Sequence, residues 1–332
     1  MFNSSIFISN YYKNFVLKYL FESIGNDLYP NGDITTKVIF GNTKKLATAQ
    51  IIAKENGIVA GFEEINWFFS SFMAFLRRQE SKNNTINILS RFYKKDSEKI
   101  FKNEKILEFT GPLTLILQIE RTILNLLQRM SGIATETFNL IKTLPPNTQT
   151  LIASTRKTPL GLIDKKAVVV GGGFTHRLNL SDAILIKDTH LDPFGRENLN
   201  IIIEKVLKTL SSQLSALSPK FIEIEVLNKN EAILAAQTFQ KILHSTVQKR
   251  QCHVFPQPII MLDNFSPKQI KETINELNKK NIQEKILIEA SGGINKINIK
   301  KYLIEGIDII SLGYLTHSPK ALDLSMKILQ KI

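Results

Sequence analysis

At 332 residues and 43% hydrophobic content, the chain can form one large α/β domain or two of ordinary size, each with a substantial core. It lacks the roughly 18 uninterrupted apolar residues of a membrane span, and its single cysteine, Cys252, excludes an internal disulfide framework and a multi-cysteine zinc site. The formal net charge of +13 suits anionic partners, yet the lysines are dispersed and never interleaved with aromatics, which argues against nucleic-acid binding as the main function.

The N-terminal stretch is aromatic and amphipathic, without the basic start and small-residue cleavage site of a secretory signal, so a cytoplasmic protein is expected. Residues 9–25 predict a helix, with Phe15, Leu17, Leu20 and Phe21 as its apolar positions. Gly32-Asp33-Ile34-Thr35-Thr36 reads as a turn opening a strand. Strands are expected at 47–53 and 58–60, a helix at 62–77, and short strands at 86–92 and 106–109, which together make an α+β layer. Helical spacing returns at 114–144 through Ile119, Ile123, Leu126, Leu127 and Met130, as one long helix or two joined ones interrupted at Ser131–Thr135. Pro145-Pro146 ends it. Arg121, taken alone, reads as an exposed charge on this helix.

Beyond residue 147 the pattern becomes β and α in alternation. Apolar runs at 150–153, 183–186, 221–226, 259–262, 286–288 and 307–312 are mostly separated by helical stretches at 201–210, 231–243, 267–279 and 296–303. That rhythm means right-handed crossovers and a parallel sheet. A barrel is favoured over a doubly wound sheet because polar residues end nearly every strand: Arg156 and Lys157, Lys187, Glu225, Asp263, Ser291 and Gly313. A barrel would gather them at one mouth. Residues 211–220 and 244–258 read as surface insertions.

The densest stretch runs from Thr155 to His190, TRKTPLGLIDKKAVVVGGGFTHRLNLSDAILIKDTH. Arg156, Lys157, His176, Arg177 and Lys187 follow apolar segments and glycine turns, as a site for a small ligand with several negative groups would require. A solvated basic loop is the plainer reading, against which stands Gly171-Gly172-Gly173, a sign of backbone packed close to something. Glu223 and Glu225 alternate along one strand and share a face. Inside a barrel such carboxylates need a cation; on an edge strand they would be solvated. Asp263 ends the run Ile259-Ile260-Met261-Leu262 as a metal or hydroxyl ligand would. Ser291-Gly292-Gly293 and Ser311-Leu312-Gly313 each follow a strand and precede a helical stretch, the usual paired phosphate loops of a barrel. His176 and His190 have no third ligand at metal spacing. His176 is read with Arg177 as carboxylate recognition, His190 as loop packing and His317 as a helix-start residue. His244, Cys252 and His253 carry no motif.

The TRKT turn, the GGG-x-x-HR turn and the KD-x-H strand end, in that order, closely resemble the quinolinate phosphoribosyltransferases. The GD-x-T, ERTILNLLQRMSGIAT, ASGG and G-x-LTHS segments resemble the same family. Ser154 stands where that family usually has Asp, and the link from Lys157 to the glycine triplet is slightly shorter. The resemblance implies an N-terminal α/β sandwich domain, residues 1–119, followed by a modified, partly open TIM-like α/β barrel, residues 120–332. It implies transfer of a phosphoribosyl group from phosphoribosyl pyrophosphate to quinolinate, yielding nicotinate mononucleotide, pyrophosphate and CO2 on the route to NAD. Lys157, Glu225 and Asp263 would be catalytic, the two carboxylates holding Mg2+. Arg121, Arg156, His176, Arg177, Lys187, Ser291, Gly292, Gly293, Ser311 and Gly313 would join them in binding substrates. Neither nucleic acid nor membrane is an implied partner; a homodimer, or a larger assembly of dimers, is, with Arg121 completing the neighbour's site. Two alternatives stay open: a paralogous phosphoribosyltransferase of the kind linked to molybdenum-transport genes, which tends to lose the Lys of KD-x-H, and a catalytically silent binding protein.

Overall fold

The computed structural model describes residues 4–41, 43, 45–79, 88–213, 218–248 and 256–329. Helix α1 (Asn10–Leu28) begins where the Ser9 hydroxyl accepts the Tyr12 N–H at 3.2 Å. Its buried stripe is Tyr12, Val16, Leu20 and Ile24, a strict i, i+4 row, and the expected Phe15 lies outside it, exposed. Helix α2 (Ile34–Phe40) replaces the strand expected after Gly32-Asp33. The Asp33 carboxylate accepts the Thr36 N–H at 2.9 Å, so Asp33 is an N-cap and not part of a strand-opening turn.

Strand β1 (Leu46–Ala53) alternates buried and less buried residues along its length, and β2 (Gly57–Ile58), α3 (Phe62–Gln79), β3 (Leu89–Phe92), β4 (Lys99–Ile100) and β5 (Lys105–Pro112) follow. Residues 86–87 of the predicted strand lie outside the described residues. Helix α4 (Leu113–Lys142) is continuous over 30 residues, so Ser131-Gly132-Ile133-Ala134-Thr135 does not interrupt it. Gly132 is there for space: a Cβ on it would sit 2.0 Å from the Lys320 carbonyl oxygen.

The chain then enters β6 (Leu151–Ser154), α5 (Leu162–Val170), β7 (Phe174–Thr175), β8 (Ile184–Ile186), α6 (Asp188–Leu191) and α7 (Leu199–Gln213). It continues through β9 (Phe221–Val226), α8 (Lys229–Gln248), β10 (Gln257–Asp263), α9 (Pro267–Lys279), β11 (Leu287–Ser291), β12 (Ile309–Leu312), α10 (Tyr314–His317) and β13 (Leu324–Leu329). Parts of both predicted insertions, with Cys252 and His253, lie outside the described residues.

The fold has two compact units. One takes Thr143–Lys157 and Phe174–Tyr314; the other takes the chain before Thr143, Thr158–Gly173 and the chain after Tyr314. A division at 119/120, expected from the sequence, would fall inside α4. The chain after Tyr314 also departs from the expected barrel domain, because β13 pairs antiparallel with β1 from Ala53↔Leu324 to Thr48↔Leu329. Its backbone groups complete a sheet of order β13-β1-β5-β3. In the same unit the buried Asp164 of α5 takes a bidentate hydrogen bond from Arg129 of α4 at 2.7 and 2.8 Å. Gly171 permits the contact of α5 with α4, since a Cβ there would meet the Ala134 carbonyl oxygen at 2.4 Å. The first glycine of the triplet thus serves helix packing.

The other unit is built on a parallel sheet, order β7-β6-β12-β11-β10-β9-β8, curled into a half-barrel. Every pairing in it is parallel, so all seven strands deliver their C-terminal ends to one side.

Inside the antiparallel unit, the fully buried Glu64 of α3 accepts the Tyr12 hydroxyl at 2.7 Å. Burial, and after it the charge of Asp96, pushes the Glu64 carboxyl from its ordinary 4.5 up to about 7. The folded state therefore holds a proton that the unfolded chain releases, and stability falls as pH rises through that window. Glu64→Gln keeps the acceptor and removes the ionisation. Urea midpoints across roughly pH 5 to 8 should show the variant gaining on the parent by up to about 3 kcal/mol. Parallel pH profiles for the two proteins would contradict this.

Candidate active site

Side chains alternate across a strand, so the in-register parallel pairs define what faces the inside of the half-barrel. The floor is apolar: Ala153, Ala183, Phe221, Ile259 and Ile309 pack together with Leu151 and Leu287. One alternation further along come Glu223, Met261 and Glu289; at the strand ends come Glu225, Asp263 and Ser291. The interior thus passes from hydrocarbon to charge toward the mouth.

At the mouth, Lys187 Nζ lies 3.6 Å from Glu225 Oε2. Burial raises the Glu225 carboxyl; Lys187 opposes the shift and Asp263 adds to it. Burial also raises Asp263, with Lys187 and then Lys157 opposing. Asp263 accepts the Asn264 amide at 2.7 Å, and the Asn264 N–H donates to the Ser291 carbonyl at 2.9 Å. Two carboxylates on adjacent strands and two lysines therefore share one electrostatic neighbourhood. His190, expected to pack the loop, is exposed and holds it by a hydrogen bond: its Nδ1 accepts the Lys187 N–H at 3.0 Å.

The cationic side of the mouth follows β6 and β7. Arg177 is 8% exposed, and burial, then the like charge of Arg156, lowers its pKa. Arg156 and Lys157 are exposed. The buried Glu223 carboxylate offsets part of that effect on Arg177, so Arg177 feels a second guanidinium and a carboxylate together.

The two predicted phosphate loops begin side by side, Ser311 Oγ donating to Ser291 Oγ at 3.0 Å. Gly292 has φ +90°, and a Cβ on it would strike Asn264 Oδ1 at 2.2 Å; Gly293 has φ +63° and open space on that side. The helices expected after these loops are short. Residues 296–303 contain only the 3-10 turn Ile299–Tyr302, in which Asn295 and Asn298 side chains hold the turn, and Gly313 leads into the four-residue α10. Backbone amides remain as possible donors to phosphate, without a long helix dipole behind them. His317 ends α10 instead of starting a helix, and is exposed.

The His176 ring turns inward, with Nε2 2.5 Å from Glu223 Oε2 and 3.6 Å from Glu289 Oε2, so this nitrogen serves protein carboxylates. The cause is the fully buried Glu223, which demanded a partner on that face. Glu289, also fully buried, was missed; it stands two residues before Ser291 on the same strand, where the alternation applied to Glu223 and Glu225 would have found it. Burial pushes both carboxyls up to about 8. The ligand atoms of this trio lie within 4.8 Å of one another. The 2.5 Å contact is nonetheless that of a hydrogen bond, since two ligands on a tetrahedral ion sit about 3.3 Å apart. Arg121 is exposed on α4, in the other unit.

Residues 33–131 match the family model for the quinolinate phosphoribosyl transferase N-terminal domain, and residues 133–327 that for the C-terminal domain. A probable nicotinate-nucleotide pyrophosphorylase [carboxylating] of Methanocaldococcus jannaschii is 36% identical over 324 residues, 96% of this chain and 99% of that protein. A protein of the same description from Methanothermobacter thermautotrophicus is 33% identical, over 89% of this chain and 93% of its own length. The solved nicotinate-nucleotide pyrophosphorylase of Francisella tularensis superposes with a TM-score of 0.72 at 30% identity, covering 96% of this chain and 97% of that one. With both domain models matched in order along nearly its whole length, the chain belongs to the quinolinate phosphoribosyltransferase family.

Proposed function

We propose that the chain transfers the phosphoribosyl group of phosphoribosyl pyrophosphate to the ring nitrogen of quinolinate, releasing pyrophosphate and CO2 and forming nicotinate mononucleotide for NAD synthesis. The observation that carries this reading is the pairing, at one mouth, of the buried Arg177 and the exposed, like-charged Arg156 with the Lys187, Glu225 and Asp263 cluster. A planar dicarboxylate suits two guanidiniums, and a polyhydroxyl diphosphate suits carboxylates and lysines. The retained Lys187 favours this branch over the paralogous transferases.

Arg156 and Arg177 would hold the quinolinate carboxylates and orient the ring nitrogen. Lys157, beside Asp263, would stabilise charge on the departing pyrophosphate, and the amides of Gly292, Gly293 and Gly313 would take the phosphate. No protein nucleophile is needed: positioning two anionic substrates against each other is the work of the site. Glu225 and Asp263 fit Mg2+, being hard oxygen donors on neighbouring strands with few protein partners of their own. When bound, the ion would neutralise diphosphate charge. Asp263→Asn should weaken phosphoribosyl pyrophosphate binding at least tenfold while leaving quinolinate binding within about twofold, measured by calorimetry with Mg2+ present. Equal losses for both ligands would contradict the division of roles.

The assembly in this reading is a homodimer in a cytoplasmic setting. Among the described residues no helix is long and apolar enough to cross a membrane. Arg121, exposed on α4, would enter the partner subunit's site. Arg121→Ala and Lys157→Ala should each be inactive alone. After subunit exchange about half the dimers would be hybrids with one intact site, restoring roughly a quarter of full activity. No recovery among hybrids verified by mass spectrometry would assign Arg121 to its own chain.

A further inference from the structure

The curled sheet is open. β7 pairs only with β6 and β8 only with β9, so among the described residues no backbone ladder joins the two edge strands. In the sheet order β7 is first and β9 is sixth, with β11 fourth. Five flat strand steps would hold β7 and β9 about 24 Å apart. Instead the His176 side chain, at the end of β7, meets the Glu223 side chain of β9 at 2.5 Å. His176 is anchored on its other side by its backbone N–H, which donates to the Ser154 carbonyl of β6 at 3.1 Å. Glu289 approaches the same ring nitrogen from β11 at 3.6 Å. The Phe221 ring supports the imidazole edge-on from below, with centroids 5.3 Å apart.

Glu223 offsets the charge of the buried Arg177, but close packing alone does not ask for carboxyls here. Apolar residues of similar size, as in the floor, would generally be at least as stable as buried ionisable ones. What these three residues supply, and apolar ones would not, is a directional bond spanning the mouth. On one side of it stand Arg156 and Arg177, the latter next in sequence to His176. On the other stand Lys187, Glu225 and Asp263.

We propose that Glu223 and Glu289 are positioning residues which, with His176, form a clasp across the open half-barrel, replacing the missing β7–β8 ladder and fixing the gap between the cationic and carboxylate halves of the mouth. The consequence for catalysis rests on the functional reading above; the clasp itself does not.

Three readouts on the full-length protein separate the two. In the parent labelled with 15N-histidine, the shared proton should appear as a far-downfield imidazole N–H resonance of His176. It should be lost in Glu223→Gln and displaced in Glu289→Gln. Amide exchange at Phe174–Thr175 and Ile184–Ile186 should quicken about tenfold or more in both variants, with strands β10 and β11 unchanged. The quinolinate KM should rise at least about tenfold while kcat changes less, because the carboxylate-binding arginines lose their registration. Absence of the downfield resonance in the parent would overturn the clasp even if the variants failed to fold. Edge strands exchanging at parental rates in folded variants would overturn it as well. If the parent did not turn over quinolinate, the functional reading would fall while resonance and exchange still judged the clasp.

Discussion

Parallel pairing of seven strands is the constraint on which the site depends. Each strand's backbone is satisfied by its neighbours, so its direction is fixed, and residues as far apart in the chain as Arg156 and Gly313 arrive on one side. Helices between the strands absorb the sequence distance. Only the terminal residues of each strand are then free of packing duties, and those positions hold Arg156, Lys157, Arg177, Lys187, Glu225, Asp263 and Ser291.

The electrostatics of that mouth are unbalanced in a useful way. A floor of Phe221, Ile259, Leu287 and Ile309 lowers the local dielectric beneath the charged layer, which strengthens every interaction above it. Burial raises Glu225 and Asp263 while their lysines oppose it, and Arg177 is pressed against a second guanidinium. In the proposed reading each half of the mouth would be relieved by an added group of opposite sign: anionic carboxylates for the arginines, a divalent cation with its phosphates for the acids. The free protein would then be prepared for charged substrates before they arrive.

Much of this was legible in the sequence because strand alternation and strand-end chemistry are local. The β/α rhythm located all six of the expected parallel strands, and Glu223 and Glu225 were assigned to one shared face, which the structure shows to be the inward one. What escaped was non-local. That β13 pairs with β1 depends on hydrogen bonding between opposite ends of the chain, which no pattern in residues 324–329 announces. Gly132 looks like a helix breaker until the Lys320 carbonyl is seen against it. The inward turn of His176 follows from the demand of a glutamate 47 positions away. The α2 cap at Asp33 and the alternation that exposes Glu289 were, by contrast, readable and misread or passed over.

If two anions meet at this mouth and one of them loses a carboxylate, the direct readout is CO2 released from quinolinate labelled in the 2-carboxylate, with and without phosphoribosyl pyrophosphate. Release should occur only when both substrates are present with Mg2+, one CO2 for each nicotinate mononucleotide formed. No release from the folded protein, or release without phosphoribosyl pyrophosphate, would contradict that reading.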